Sequence, residues 1–224
     1  MSKVELMTMT GRESAIRSLF WDTVTIGQPL PFKLSCADQY ERLGLNWYLQ
    51  NGAGDGAVAV VDNEVVGYCL VCVDPASFHR AQRQLFIRLA VSVALALITG
   101  RTNKESRRFY WYRLRDSLTI TKTRQALPKN VHMHVHLNVG SKFHDGSVSL
   151  KLRDHADHAC LMHGATAYFG EMNAIGGRRI VGLHRVGGQI VDDSPNHTFS
   201  WLTGKEVHRL TLVRNLSEST QVAA

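Results

Sequence analysis

Apolar and polar positions alternate along some stretches of the chain and recur at helical spacing along others. Residues 4–9 (VELMTM) predict a first strand, Glu13 to Asp22 a short helix, and Ala37 to Gln50 (ADQYERLGLNWYLQ) a second helix ended by the Gly-rich run Asn51 to Gly56. Ala57–Val61 (AVAVV) and Val65–Val73 then predict two strands of a hairpin, turning at Asp62, Asn63 and Glu64. From Val131 the sequence VHMHVHLNV alternates strictly. It puts His132, His134, His136 and Asn138 on one face of a strand and Val131, Met133, Val135, Leu137 and Val139 on the other. After the polar loop Gly140 to Gly146, Ser147 is placed to cap a helix whose face is Val148, Leu152, Ala156, Ala159, Cys160 and His163. Thr166–Met172 predicts a strand and Arg178 to Val186 a short helix stopped at Gly187–Gly188. Gln189–Val191 and Val207–Val213 predict the last two strands.

The stretch between the hairpin and the alternating strand behaves differently. Leu85 to Ile98 (LFIRLAVSVALALI) is apolar except for Arg88 and Ser92, and at fourteen residues it is shorter than the roughly twenty a bilayer span needs. Arg101 to Arg115 predicts a further helix carrying Phe109, Tyr110, Trp111 and Tyr112 among basic residues, and Pro128 closes the segment. Charge singles out the same region. The chain carries a formal +7, and between Ala76 and Lys129 twelve Lys or Arg face only Glu105 and Asp116, a net of +10, so the remainder sums to −3.

Size and composition change the picture little. At 224 residues and 44% hydrophobic content, one domain over residues 1–216 is expected, with a disordered tail at 217–224. The first ten residues do not read as a secretory signal, which predicts a cytoplasmic protein. Cys69 and Cys72 have CxxC spacing, but on a strand residues three apart face opposite ways, so buried thiols are expected rather than metal or redox chemistry. His155 and His158 lie three apart on the predicted helix beside Asp154 and Asp157. No recognised metal motif spans these histidines, and no metal site is expected.

The order of elements, together with His134-Val135-His136-Leu137-Asn138-Val139 and the segment Leu183 to Asp193 (LHRVGGQIVDD), resembles the GNAT superfamily of acyltransferases. The first motif is similar to the H-L-H-I-D/N-L/V central strand of some members, the second to the Y-x-R-L-G-F-x-x-V segment that closes their core. The resemblance implies an α/β (α+β) fold with a mixed, curved central sheet, carrying the basic segment 76–129 as a helical insertion between the third and fourth strands. It also implies acetyl-CoA as co-substrate and an amine as acceptor. Pantetheine would pair with the backbone of Leu137, Asn138 and Val139. The diphosphate would meet the loop and helix start at His144, Asp145, Gly146, Ser147, Val148 and Ser149, where unpaired N–H groups and the helix dipole favour an anion. Here the family's Q/R-x-x-G-x-G/A pattern has serines in place of both motif glycines.

Transfer to an amine needs a base, and His134 and His136 are the candidates, since imidazole titrates near neutral pH. The tyrosine that protonates the leaving thiolate in many members is replaced by Leu183, with His184 and Tyr168 as possible substitutes. The rival reading is a catalytically silent protein of this fold that binds a ligand, membrane or partner through the basic segment. For that segment three roles compete: a lid or homodimer contact, a peripheral membrane contact through residues 85–115, and nucleic acid, the least favoured.

Overall fold

The computed structural model describes residues 3–125, 127–143, 146–176 and 187–216. Seven strands form one curved, unclosed sheet in the order β1-β2-β3-β4-β5-β7-β6: β1 Glu5–Thr8, β2 Ala57–Val61, β3 Glu64–Cys72, β4 His134–Val139, β5 Ala167–Ile175, β6 Gln189–Pro195 and β7 Val207–Asn215. Among the described residues six helices accompany them: α1 Glu13–Thr23, α2 Ala37–Gln50, α3 Pro75–Ile98, α4 Lys104–Gln125, α5 Ser147–Met162 and α6 His197–Thr203. All neighbouring strands pair antiparallel except β4 and β5. The mixed, curved sheet is the one the GNAT resemblance implied.

Each face of the sheet has its own cover. On one side α5 lays Val148, Leu152, Ala156 and Cys160 against Ala59, Cys69, Val71 and Val135. Gly67 of β3 makes this contact close, since a Cβ there would sit 3.0 Å from Leu152 and Val148 side-chain atoms. On the opposite face, Ile16 and Leu19 of α1, Leu45, Trp47 and Tyr48 of α2 and Phe78 of α3 bury Val58, Tyr68, Leu70 and Cys72. Further along that face a smaller cluster joins Val131, Phe169 and Val213, and α4 and α6 pack near β6 and β7. Cys69 and Cys72 thus fall into different clusters, and burial holds the Cys69 thiol well above its usual pKa.

The β2–β3 turn is tighter than the sequence predicted. Only Asp62 and Asn63 lie in it, both at positive φ (48° and 66°), the backbone that a two-residue hairpin demands and that Asp and Asn tolerate. The α3 helix begins ten residues before the apolar run: Asp74 accepts a hydrogen bond from the Ser77 N–H, and Pro75 opens the first turn. The fourth helix runs over Lys104–Gln125 rather than Arg101 to Arg115. Ser147 does not cap α5. That position belongs to Gly146 at φ 88°, and Ser147 is the first helical residue. His163 is likewise no core residue, being exposed with its Nε2 2.7 Å from Asp55 Oδ1. The helix predicted over Arg178 to Val186 and the tail 217–224 lie outside the described residues, and α6 was not predicted.

Most of α3 is uncovered. Phe78 and Leu89 are its buried residues, whereas Phe86, Ile87, Val91, Leu95, Leu97 and Ile98 are all exposed. It is the one helix among the described residues long and apolar enough, by length and composition, to cross a membrane. Its basic successor α4 is anchored better: Phe109 is fully buried against Tyr40 and Phe32, Tyr110 donates a hydrogen bond to the Ser35 carbonyl, and Arg108 stacks over Trp201.

Candidate functional site

The chemistry-bearing part of the fold is the junction between β4 and β5. These parallel strands pair only through His134↔Phe169 and Val135↔Gly170, after which they diverge. Beyond the second pair, β5 goes on pairing with β7 as far as Ile175, and β4 goes on pairing with β3 as far as Val139. Two backbone edges therefore face each other across a gap. A cavity of about 240 Å³ occupies it, walled by Val135, Leu137 and Val139 of β4, Tyr168, Gly170, Glu171 and Met172 of β5, Leu212 and Arg214 of β7 and Ser149 of α5. Gly170 stands where the strands part, and a Cβ on it would lie 3.3 Å from the Val135 carbonyl oxygen.

Several of the residues singled out in the sequence meet here. Leu137 and Val139 turn their side chains into the gap, and Ser149 reaches it from the first turn of α5. Asn138 points the other way, donating from Nδ2 to Thr23 Oγ1 at 2.5 Å and to Tyr68 Oη at 3.0 Å. Burial pushes the Tyr68 phenol up to about 12, the Asn138 bond opposing the shift. Ser147 is exposed at the start of α5, Gly146 is buried beneath it, and Val148 belongs wholly to the core. His144 and Asp145 lie outside the described residues, as do Leu183 and His184.

The two histidines part company. His134 is only 4% exposed, its ring packed against Phe78 and Phe169 and its Nε2 2.5 Å from Tyr48 Oη. It does not project into an open acceptor site. His136 is half-buried, with ring contacts to Tyr48 and His134 at 5.9 and 5.4 Å. His132 precedes the strand and is exposed. His155 is tied to the Asp55 carbonyl through Nε2, and among the described residues no three His, Cys, Asp or Glu converge as a metal site would require.

Sequence reading missed two groups. Tyr168 was noted only as a stand-in proton donor, but its hydroxyl donates to Asp157 Oδ1 at 2.8 Å. Arg214 also grips Asp157 side-on, Nε and Nη2 reaching its two carboxylate oxygens at 2.8 and 2.6 Å. Burial, followed by the Asp157 charge, drives the Tyr168 pKa far above the usual phenol value, so the phenol keeps its proton. The second group is Glu171, a residue of the cavity lining whose position on β5 is on the sheet face away from Leu137 and Val139. It lies on β5 opposite Thr211, on the face that carries His136. An isolated Glu in a predicted strand was the only signal for it.

No family model matches the chain, and no curated protein does. Solved structures do match. The protein SsHAT superposes with a TM-score of 0.63 at 14% identity, covering 96% of this chain and 98% of its own. A putative acetyltransferase from Salmonella typhimurium, solved with its cofactor acetyl-CoA, gives 0.53 at 10% identity over 95% of this chain and 94% of its own. The polyamine N-acetyltransferase of Drosophila melanogaster gives 0.51 at 15% identity over 95% and 100%. At these identities the likeness establishes the fold, which is that of the GNAT N-acetyltransferases, over nearly the full length of each chain.

Proposed function

We propose that this protein is an acetyl-CoA-dependent N-acetyltransferase acting on an amine. The observation that carries this reading is the parting of β4 and β5 after two paired residues. It leaves the β4 backbone from Leu137 to Val139 free on one side, beside a cavity that leads to the first turn of α5. Such an edge can pair with the amide-bearing pantetheine arm as with an extra strand, and the backbone N–H groups at the start of α5 suit the diphosphate. The Salmonella protein of this fold was solved with acetyl-CoA, which supports the same assignment here.

In the transfer step the amine nitrogen attacks the thioester carbonyl carbon, an N–C bond forms, the C–S bond breaks, and one amine proton goes to a base while the departing thiolate takes up another. Glu171, on the cavity wall, and His136, on the same sheet face, are the two groups placed to accept the proton. His134 is closed off by its neighbours and acts, in this reading, by holding Tyr48 and the His136 ring in position. Tyr168 lines the cavity but holds its proton too tightly to supply the thiolate, which leaves water or His184 as the donor.

Calorimetric titration with acetyl-CoA tests the co-substrate. Micromolar binding is expected, lost in Ser147→Glu, which sets a negative charge at the helix start, and lost in Gly170→Val, which fills the gap where the strands part. Absence of binding by the unaltered chain would overturn the reading. In assays of thiol release, Glu171→Gln and His136→Gln decide which group is the base, a loss of about 10²-fold or more marking it.

A second reading rests on α3. Its uncovered apolar residues, followed by the basic α4, support a contact surface for a second copy or an anionic membrane. Sedimentation of the protein alone and with anionic vesicles separates the two.

A further inference from the structure

Strand β7 carries two arginines on opposite faces, and their forks are in opposite states. Arg214 holds Asp157 side-on through Nε and Nη2. In Arg209, only 3% exposed, the same two nitrogens, Nε and Nη2, are buried and have no hydrogen-bond partner among the described residues. Two residues along on the same face, Thr211 is 1% exposed and its Oγ1 is likewise buried without a partner. Two side chains neighbouring on one face of β7 thus carry three buried polar atoms without a partner among the described residues. Burial lowers the Arg209 pKa, opposed chiefly by the Glu171 charge. Asp116 and Asp192 add smaller fields of the same sign, and Arg113 one of the opposite sign. None of these carboxylates closes the fork. Asp116 spends its oxygens on the N–H groups of His197 and Thr198 and on the Thr198 hydroxyl, and Asp192 accepts from the Ser194 hydroxyl.

A guanidinium fork that is desolvated and unfilled is a receptor for a planar oxyanion, because Nε–H and Nη2–H match the spacing of two carboxylate oxygens. The register places this receptor beside the reaction. Thr211 pairs with Glu171, a residue of the cavity lining, and Arg209 pairs with Asn173, the next residue of β5 on that face. We infer that the acceptor amine carries a carboxylate, held by the Arg209 fork and the Thr211 hydroxyl, with its amino group directed toward Glu171 at the parting of β4 and β5. The preferred acceptor is then an amino acid rather than a polyamine. The surrounding charges agree: Glu171, Asp116 and Asp192 against Arg209 and Arg113 favour a molecule bearing both signs over a multiply charged anion.

This inference rests on the transferase reading, and binding measurements keep the two apart. L-arginine, L-lysine and L-histidine are titrated into the full chain with CoA present and without it. Each is compared with its decarboxylated counterpart, agmatine, cadaverine or histamine, and the remaining common amino acids follow. At least one amino acid is expected to bind at least 30-fold more tightly than the amine lacking the carboxylate. Arg209→Met and Thr211→Val should abolish that preference and leave acetyl-CoA binding unchanged. Arg209→Met should also raise the melting temperature of the free protein, which a merely structural arginine would lower. Binding of acetyl-CoA with no amino acid preferred over its amine overturns the inference alone. So does a preference that survives Arg209→Met, or a fall in its melting temperature. Amino acid binding lost in the variants while acetyl-CoA fails to bind would uphold the carboxylate site and sink the transferase reading.

Discussion

The two faces of β7 differ in how completely their charges are answered. Toward α5, Asp157, Arg214 and Tyr168 close on one another: one carboxylate accepts from three donor atoms, Tyr168 Oη and Arg214 Nε and Nη2, and Arg214 Nη1 donates to the Gly187 carbonyl. Toward α4 and α6, Arg209 and Thr211 are as deeply buried and have no such closure among the described residues. A protein that only had to be stable would fill the second site with apolar side chains, since an unmatched buried polar group costs about 1–3 kcal/mol. The contrast separates a face built to hold the fold from a face built to receive something.

Breaking the closed side should have the largest effect. Asp157→Ala leaves Arg214 and the Tyr168 hydroxyl buried without their common acceptor, and a loss of about 3–5 kcal/mol is expected in urea unfolding. A loss below about 1 kcal/mol would mean the triad is ornamental. On the open side the sign reverses: Arg209→Met should stabilise the free protein by about 1–3 kcal/mol. Tyr168→Phe sharpens the comparison through pH. At neutral pH it should cost about 1 kcal/mol, the worth of one hydrogen bond. Because the folded pKa of Tyr168 lies above the unfolded value of about 10, its contribution is whole below pH 10 and is lost as pH rises beyond it. The gap between variant and parent should therefore shrink above pH 10, and a gap that holds steady to pH 11 would contradict the assigned proton. Smallest is Thr211→Val, which removes one buried, unmatched hydroxyl and should leave the stability of the free protein equal or slightly higher.

The closed and open sides were not equally legible in the sequence. Period-two alternation over Val131 to Val139 marked β4 correctly as the strand whose two sides serve different ends, and Gly-rich punctuation after Gln50 fixed the end of α2. Alternation cannot say which side is roofed, so His134 read as a group facing substrate when Phe78 and Tyr48 in fact cover it. The first ten residues of α3 are mostly polar and lack a helical stripe, although Asp74-Pro75 was a usable start signal. Helix α6 is one short, aromatic stretch held by the Asn196 side chain and by Asp116 from 81 residues away, a bond that no local window contains. The same limit hid the Asp157–Arg214 pair, fifty-seven residues apart, and with it the significance of an Arg209 lacking any such partner.

The brief contact between β4 and β5 also bears on how the molecule holds together in time. Strands β1 to β4 are neighbours in sequence order and form one half-sheet, and β5, β7 and β6 form another. Within the sheet these halves are joined by two residue pairs, and outside it by α5 and by the packing of α4 on α6. Each half is built from a contiguous stretch of chain with few backbone bonds to the other, and amide hydrogen exchange should resolve two groups of protected amides with separate opening rates rather than one. A molecule lying in the gap with backbone bonds to the β4 edge would act as a splint between them, and its arrival should merge the two groups into one.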